Sequence, residues 1–278
     1  MRWLQTHISI LLLRFNNRRE LHALSKALHL GRKAMAHQNN GLVWDEDNHY
    51  SKVVIVFLIK SLHRLTSIQL LCKKGLAKDA VPLLRAMFEE LVDLNYMSRN
   101  RERVSDFIEY DTYERYKMGR ALLRSNSENI DKARVAARNT ELSAQWEAIK
   151  HRFTYTANDK EYIFRRWTRE NVRELSEKVG LGSMYDYLFA HLSTYVHSSP
   201  IAADDYVLGR SGDSVVLSVG ASPTLVGEVA ATSSAIYLDM LRIAHADFNM
   251  DIEALIAPVE RVLQHARETR QASRIPSN

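Results

Sequence analysis

The feature that most constrains this fold is the shortage of residues that interrupt helices. Glycine occurs 10 times and proline 5 times in 278 residues, about 5% of the chain against roughly 12% in average usage. This shortage argues against a sandwich, a barrel, a dinucleotide-binding domain and a disordered chain. A hydrophobic content of 46% with 26% charged residues is that of a soluble globular protein. We therefore expect a mostly α-helical protein, a multi-helix bundle, although composition alone indicates no activity.

No segment has the pattern of a spanning helix or a signal peptide. The apolar run 10–13 is closed by Arg14, well short of the roughly 20 residues that a spanning helix needs. A second run, Val53–Ile59, is bracketed by lysines and predicts a buried helix segment. The single cysteine excludes a disulfide framework and a Cys-based zinc site. We expect a cytoplasmic protein without a membrane partner.

Apolar residues recur every three or four positions along most of the chain, which is the helical period. Residues 206–217 alternate instead around a short turn and predict one small β-hairpin. Residues 153–166 fit neither period and predict an irregular loop. Asp79, Thr168 and Asp251 are predicted helix caps, and Gly75 a helix end. A single helical domain of residues 1–278 is expected, with helices over 17–37, 50–75, 79–98, 101–124, 127–152, 168–180, 184–197, 222–248 and 251–272.

The net charge of +5 is concentrated in one segment. Residues 99–173 contain 17 Lys and Arg against 12 Asp and Glu, while the rest of the chain has 21 of each. A basic patch interleaved with aromatic residues binds phosphates and stacks on bases. The alternative is a solvated face neutralised by its own glutamates, such as Glu161 and Glu170. The predicted nucleic-acid-binding residues are Arg165, Arg166, Trp167, Arg169 and Arg173.

The first candidate group lies on the predicted helix 184–197. At helical spacing, Asp186, Ser193 and His197 share the flank of its apolar stripe. His197 ends the helix, where the dipole favours an imidazolium, and can act as a general acid or base with Ser193 as hydrogen-bonding partner. The alternative is a histidine bonded to the carbonyls of its own helix end. His191 and His197 fall on different faces, so we expect no metal and no cofactor.

The second candidate group lies on the predicted helix 79–98. Arg85 and Glu89 are four residues apart and can pair at the border of the apolar face. Glu90, Asp93 and Tyr96 follow on the same helix. A partly buried arginine is either paired or available to an anion. One interpretation is therefore a phosphate-binding Arg85 oriented by Glu89, and the alternative is a structural ion pair between packed helices.

Four separated segments resemble an uncharacterised bacterial family of all-helical proteins, over about residues 50–200. The segment 83–96 resembles its signature helix with the Arg-x3-Glu-Glu motif, and 103–110 its Arg/Phe/Tyr-rich helix. Trp167 matches a tryptophan before a short helix. The last motif is aromatic-x-x-Leu-Ser-x-x-x-His, which here begins at Phe189 and ends at His197. The family more often has tyrosine at the aromatic position, so any role of that hydroxyl is lost here.

The chain is also similar in style, more distantly, to helical effectors of the HEPN (higher eukaryotes and prokaryotes nucleotide-binding) superfamily. Many of those are metal-independent ribonucleases of toxin and phage-defence systems, with Arg-x4–6-His on a late helix. This sequence has Ser193, not arginine, upstream of His197. The similarity implies an effector acting on RNA or nucleotides, with His197 as general acid or base and Arg85 on phosphate. The alternative is a non-catalytic helical module that binds a partner protein, a small ligand or a second copy.

Overall fold

The structure, a computed structural model, describes residues 10–36, 48–196, 206–211, 214–217, 220–248, 250 and 252–274. Over these residues the chain is mostly α-helical with two small antiparallel hairpins, so the expected fold class is confirmed. The helices, in chain order, are α1 Arg18–Ala36, α2 His49–Lys73, α3 Ala77–Arg99, α4 Val104–Arg124, α5 Lys132–Ile149, α6 Val172–Lys178, α7 (Gly182–Asp186, the π-helical Tyr187–His191 and Leu192–Val196), α8 Val226–Phe248 and α9 Glu253–Arg274.

The core lies where α1, α2, α3 and α8 pack together, with α9 against α1 and α8. Each helix contributes fully buried apolar side chains, such as Leu24, Leu58, Leu84 and Tyr237. Gly31 of α1 is required for this packing because a Cβ there would lie 2.5 Å from Cε1 of Tyr237. The apolar residues that gave the chain its helical period are therefore the ones that hold the bundle together.

Among the described residues, one helix, α2, is long and apolar enough to cross a membrane. Val54, Leu58, Leu65 and Ile68 have no exposed surface, and α2 packs against α1, α3 and α8. This is the environment of a core helix, which accounts for the apolar composition. The burial predicted for the Val53–Ile59 run is confirmed, apart from the two residues of the run that face outwards.

The end of α2 follows the glycine signal in the sequence. Gly75 has φ +74°, its N–H donates to the Cys72 carbonyl, and the Leu76 N–H donates to the Leu71 carbonyl at 2.9 Å. This pair of bonds is a Schellman motif, which satisfies carbonyls that the last helical turn leaves open. The next helix, α3, begins at Ala77, so Asp79 lies in its first turn and not at its cap.

The largest departure from the sequence prediction is the segment 153–166. It contains the antiparallel strands β1 Thr154–Ala157 and β2 Lys160–Ile163, joined by Asn158 and Asp159, both at positive φ. Two adjacent residues at positive φ form the tight turn that matches the twist of a two-residue hairpin. The prediction of an irregular loop is therefore wrong.

The predicted hairpin near the C-terminal helices is confirmed, as strands β3 Val207–Ser211 and β4 Ser214–Leu217. The predicted cap at Thr168 is wrong, because α6 begins after Asn171, whose side chain forms a capping box with Glu174. Asp251 lies outside the described residues.

Candidate functional site

Helix α3 carries polar side chains on two different faces. Glu90 faces α2, where its carboxylate accepts a hydrogen bond from Ser61 Oγ at 2.8 Å and pairs with Lys60 and Arg64. Its side chain is only 9% exposed, so these partners offset the cost of burying the charge. Glu90 thus belongs to a structural cluster between α2 and α3 and is separate from the Arg85 group with which it was predicted.

The predicted pair on the other face of α3 is confirmed. Arg85 Nε lies 3.4 Å from Glu89 Oε1, and the Arg85 guanidinium lies 3.9 Å above the ring centroid of Phe189. Phe189 in turn stacks on Tyr185 at 4.3 Å between centroids. The two family-like motifs, on α3 and α7, therefore meet at Arg85, which is held by a carboxylate and by an aromatic face.

The predicted group on α7 is affected by the π-helical turn Tyr187–His191. A π turn holds more residues than an α turn, so spacing at 100° per residue does not apply across it. The prediction that Asp186 shares a flank with Ser193 is therefore wrong. Asp186 is instead an exposed partner of Arg173, at 3.7 Å. Ser193 is partly buried in the part of α7 that packs on α3, and His197 lies outside the described residues.

Asp93 lies one turn after Glu89 and is the centre of a buried polar cluster. Its Oδ1 pairs with Arg166 Nη2 and accepts a hydrogen bond from Trp167 Nε1 at 3.1 Å. Burial raises the pKa of Asp93 to about 6, an effect that Arg166 and Trp167 oppose and the nearby Glu89 charge reinforces. A carboxyl with such a pKa changes its protonation state near neutral pH, which is a property of acid–base groups in active sites.

Two of the predicted base- and phosphate-binding residues have other roles here. Trp167 is 4% exposed and packs on Tyr96 and Phe107, so its ring has no free face for a base. Arg166 forms an ion pair with Asp93, and its side chain is 18% exposed. Both residues make contacts between α3 and the loop before α6, which leaves them little surface for nucleic acid.

A cleft of about 970 Å³ opens beside this cluster. We call it the hairpin cleft, because the β1–β2 hairpin and the loop that follows form one wall, while α3 and α4 form the other. Tyr110 of α4 fixes the loop by donating a hydrogen bond to the Phe164 carbonyl at 2.6 Å. The lining residues include Glu89, Asp93, Tyr110, Glu114, Tyr155, Tyr162, Arg165, Arg166, Arg169, Glu170 and Glu174.

Arg165 and Arg169 are exposed in the hairpin cleft, as the basic patch predicts. The Arg169 guanidinium lies 5.2 Å from the ring centroid of Tyr155, which stacks on Tyr162 at 5.5 Å. Arg173 lies outside the cleft on α6 and pairs with Glu177 at 3.4 Å. Among the described residues, no group of three or more His, Cys, Asp or Glu side chains is placed to hold a metal ion.

The two stacked tyrosines of the cleft are not among the predicted binding residues, although Tyr162 lies near the basic patch in sequence, because the sequence predicts a loop where the hairpin lies. Their signal in the sequence is Asn158-Asp159 between two short runs that hold Thr154, Tyr155, Tyr162 and Ile163. Two runs with strand-forming residues around a two-residue polar turn are typical of a hairpin. The alternation is weak because neither face of this hairpin is fully buried.

Fold and site together define a helical-bundle protein with a polar, aromatic-lined cleft next to its third helix. The chain belongs to DUF5677, a family of unknown function, whose model matches residues 51–214. The resemblance to an uncharacterised family is thereby confirmed over nearly the expected range. No curated protein and no solved structure matches the chain, and the more distant similarity to HEPN proteins stays a prediction.

Proposed function

We propose that this protein binds a nucleotide or a short single-stranded RNA segment in the hairpin cleft. One observation carries the proposal: two arginines that form no ion pair with any described residue line the same cleft of about 970 Å³ as two exposed, stacked tyrosines. Arginine guanidinium groups bind phosphate oxygens, and tyrosine rings stack on bases whatever their sequence. The combination matches the two chemical parts of a nucleotide.

The charges of the cleft favour an anionic ligand. Most of the lining carboxylates have cationic partners: Asp93 with Arg166, Glu89 with Arg85, Glu114 with Lys117 and Glu170 with Lys178. Glu174 accepts a hydrogen bond from the Asn171 N–H at the start of α6. Among the described residues, Arg165 and Arg169 form no ion pair, so they are the cations left for a ligand.

The aromatic side of the cleft suits a base. Tyr155 is 36% exposed and Tyr162 41% exposed, so each ring keeps part of its surface for a ligand. Arg169 covers Tyr155 at cation–π distance, which also places a positive charge next to the stacking surface. In this proposal the base stacks on the exposed tyrosine surface, and the arginines that line the same cleft bind the phosphate.

The binding proposal is tested by fluorescence anisotropy with a labelled oligouridylate and with labelled ATP. Arg169→Ala and Tyr155→Ala are each expected to weaken binding by about 1–3 kcal/mol, since each removes one phosphate contact or one stacked base. Arg120→Ala is the matched control, because Arg120 also lies over a tyrosine ring, at 5.7 Å, but on α4 outside the lining of the cleft. Equal losses in all three variants, or no binding by the wild type, would refute the proposal.

The catalytic form of the proposal is a metal-independent ribonuclease that acts as a bacterial effector, for example as a toxin or in phage defence. His197 would be the general acid or base, Arg85 would neutralise phosphate charge, Glu89 would orient Arg85, and Ser193 would be a hydrogen-bonding partner. The test is expression of wild type and His197→Ala in bacteria, with growth and total RNA measured. Growth arrest and RNA loss are expected with the wild type alone; equal toxicity of the two proteins would contradict the assignment.

The alternative is a non-catalytic module that binds a partner protein, a small ligand or a second copy. A specific observation favours it: Arg85 is held by Glu89 and by the Phe189 ring, the arrangement expected of a structural contact between α3 and α7. In that case Arg85→Met lowers the melting temperature and no RNA turnover is detected. In the catalytic case Arg85→Lys keeps the charge and the fold but lowers the rate of cleavage.

A further inference from the structure

A second basic surface, which shares no lining residue with the hairpin cleft, lies where α1 meets α9. A groove of about 710 Å³ is lined by eight residues, and six of them are basic: Arg18, Arg19, His22, Lys26, Arg261 and His265. The other two are Pro258 and Val262, so no carboxylate contributes to its lining. Arg18, His22, Lys26 and Arg261 are exposed. We call this surface the basic groove.

The basic groove is continuous with an exposed apolar surface. Helical hydrogen bonds continue through Asn17, whose N–H donates to the Leu13 carbonyl and whose carbonyl accepts from the Leu21 N–H. Residues 11, 15, 18, 22 and 26 are therefore three or four apart on one helical face. Leu11 and Phe15 are each 64% exposed, and neighbouring Leu12 is 57% exposed. The face begins with apolar side chains and continues with Arg18, His22 and Lys26.

We propose that this face binds the surface of a membrane that contains anionic lipids. Lysine and arginine side chains bind the headgroups by charge, while exposed leucine and phenylalanine side chains enter the boundary between headgroups and acyl chains. The Arg18 guanidinium lies 4.9 Å from the Phe15 ring centroid, so charge and apolar surface are in contact at the junction.

The charge of the basic groove and the exposed apolar surface next to it together favour an anionic membrane over other polyanions. A groove lined by cations alone would suit any polyanion, including RNA. Single-stranded RNA uses aromatic rings for stacking but gains little from two exposed leucines. No membrane partner is expected from the sequence, because it contains no pattern of a spanning segment. The contact proposed here is with the membrane surface, so it requires no spanning segment.

The test is co-sedimentation of the full chain with vesicles of phosphatidylcholine alone and of equal parts phosphatidylcholine and phosphatidylglycerol. Binding is expected only to the anionic vesicles and is expected to weaken with added salt. Each cation near the surface contributes about a fivefold increase in partitioning. Arg18→Ser/Lys26→Ser removes two such cations and is therefore expected to lower binding about 25-fold. Phe15→Ser is expected to lower it severalfold without changing the charge.

The matched control is Arg120→Ser/Lys132→Ser, which removes two exposed cations from α4 and α5 and leaves the basic groove intact. This variant is expected to bind anionic vesicles as the wild type does. All the substituted side chains are exposed, so thermal unfolding is expected to be unchanged and serves as the check on folding.

Absence of binding to anionic vesicles overturns the proposal. So does full binding by Phe15→Ser, or an equal loss in the control. Tight binding of oligouridylate by wild type and Phe15→Ser, lost in Arg18→Ser/Lys26→Ser, would assign the groove to RNA instead.

Discussion

Removing Arg166 is expected to destabilise the protein in a way that depends on pH. Arg166 and Asp93 are 18% and 13% exposed, and Trp167 donates a further hydrogen bond to the same carboxylate oxygen. The pKa of Asp93 is raised to about 6, against about 4 for a free aspartate, so ionisation of Asp93 costs the fold about 3 kcal/mol at neutral pH.

The direction of the wild-type pH dependence follows from that shift. Because the folded protein holds the Asp93 proton to a higher pH than the unfolded chain does, this group favours folding below about pH 4. That contribution is lost as the pH rises towards 6, where Asp93 ionises in the folded state. Without Arg166 the ionised carboxylate loses its main partner, so the pKa of Asp93 rises further.

Arg166→Met is therefore expected to lower the free energy of unfolding by about 3 kcal/mol near pH 8, the lower end of the cost of breaking a buried pair, because Trp167 keeps its hydrogen bond. Near pH 5, where Asp93 is mostly protonated, the loss is about 1 kcal/mol, that of one ordinary hydrogen bond. Urea denaturation followed by circular dichroism at both pH values measures the difference.

Two variants control this experiment. Arg173→Met removes an arginine whose ion pair is exposed, 59% on both sides, and is expected to change stability little at either pH. Asp93→Asn/Arg166→Met removes both charges and is expected to recover most of the loss near pH 8. A loss for Arg166→Met that is equal at the two pH values, or larger near pH 5, would refute the reasoning.

Two further predictions concern single contacts. Gly75→Ala is expected to lower stability by about 2–4 kcal/mol, since a Cβ would lie 2.7 Å from Ala221 Cβ and φ is +74°. Gly180→Ala is the control, because Gly180 has φ +82° but no other heavy atom lies within 4 Å of an added Cβ. It therefore measures the cost of the positive φ alone and is expected to lower stability by about 1 kcal/mol. Similar melting temperatures for the two variants would contradict the packing argument. Tyr110→Phe leaves the Phe164 carbonyl without its 2.6 Å hydrogen bond. It is expected to lower the free energy of unfolding in urea by about 1–2 kcal/mol and to weaken ligand binding in the hairpin cleft. A wild-type free energy of unfolding together with wild-type affinity would show that the loop does not depend on this bond.

The parts of the structure that depend on local spacing were predictable from the sequence. Helices such as α2 and α8 follow directly from apolar residues at three- and four-residue intervals, and the Arg85–Glu89 pair follows from a separation of four residues. The Asp93–Arg166 pair joins residues 73 positions apart. It exists because a loop without a helical or strand period folds back over α3, and no local pattern encodes that return.

The two local errors also have physical causes. The β1–β2 hairpin is weakly alternating because neither of its faces is buried in the core, so its period does not separate strand from loop. The π turn of α7 adds residues to a turn without interrupting the apolar pattern, so a helical wheel drawn across it assigns Asp186 to the wrong flank.

The positions of α1, α8 and α9 in the chain have a consequence for biosynthesis. The family segment 51–214 contains α2 and α3, but the helices that cover their apolar faces come from both sides of it. α1 contacts both α8 and α9, and of these two helices the nearer in sequence, α8, begins about 190 residues after the end of α1. The bundle core is thus assembled from helices on both sides of the family segment, so many of its contacts join residues far apart in sequence. α8 must leave the ribosome before the faces of α1 and α2 that pack on it are covered, and until then these faces are exposed to chaperones.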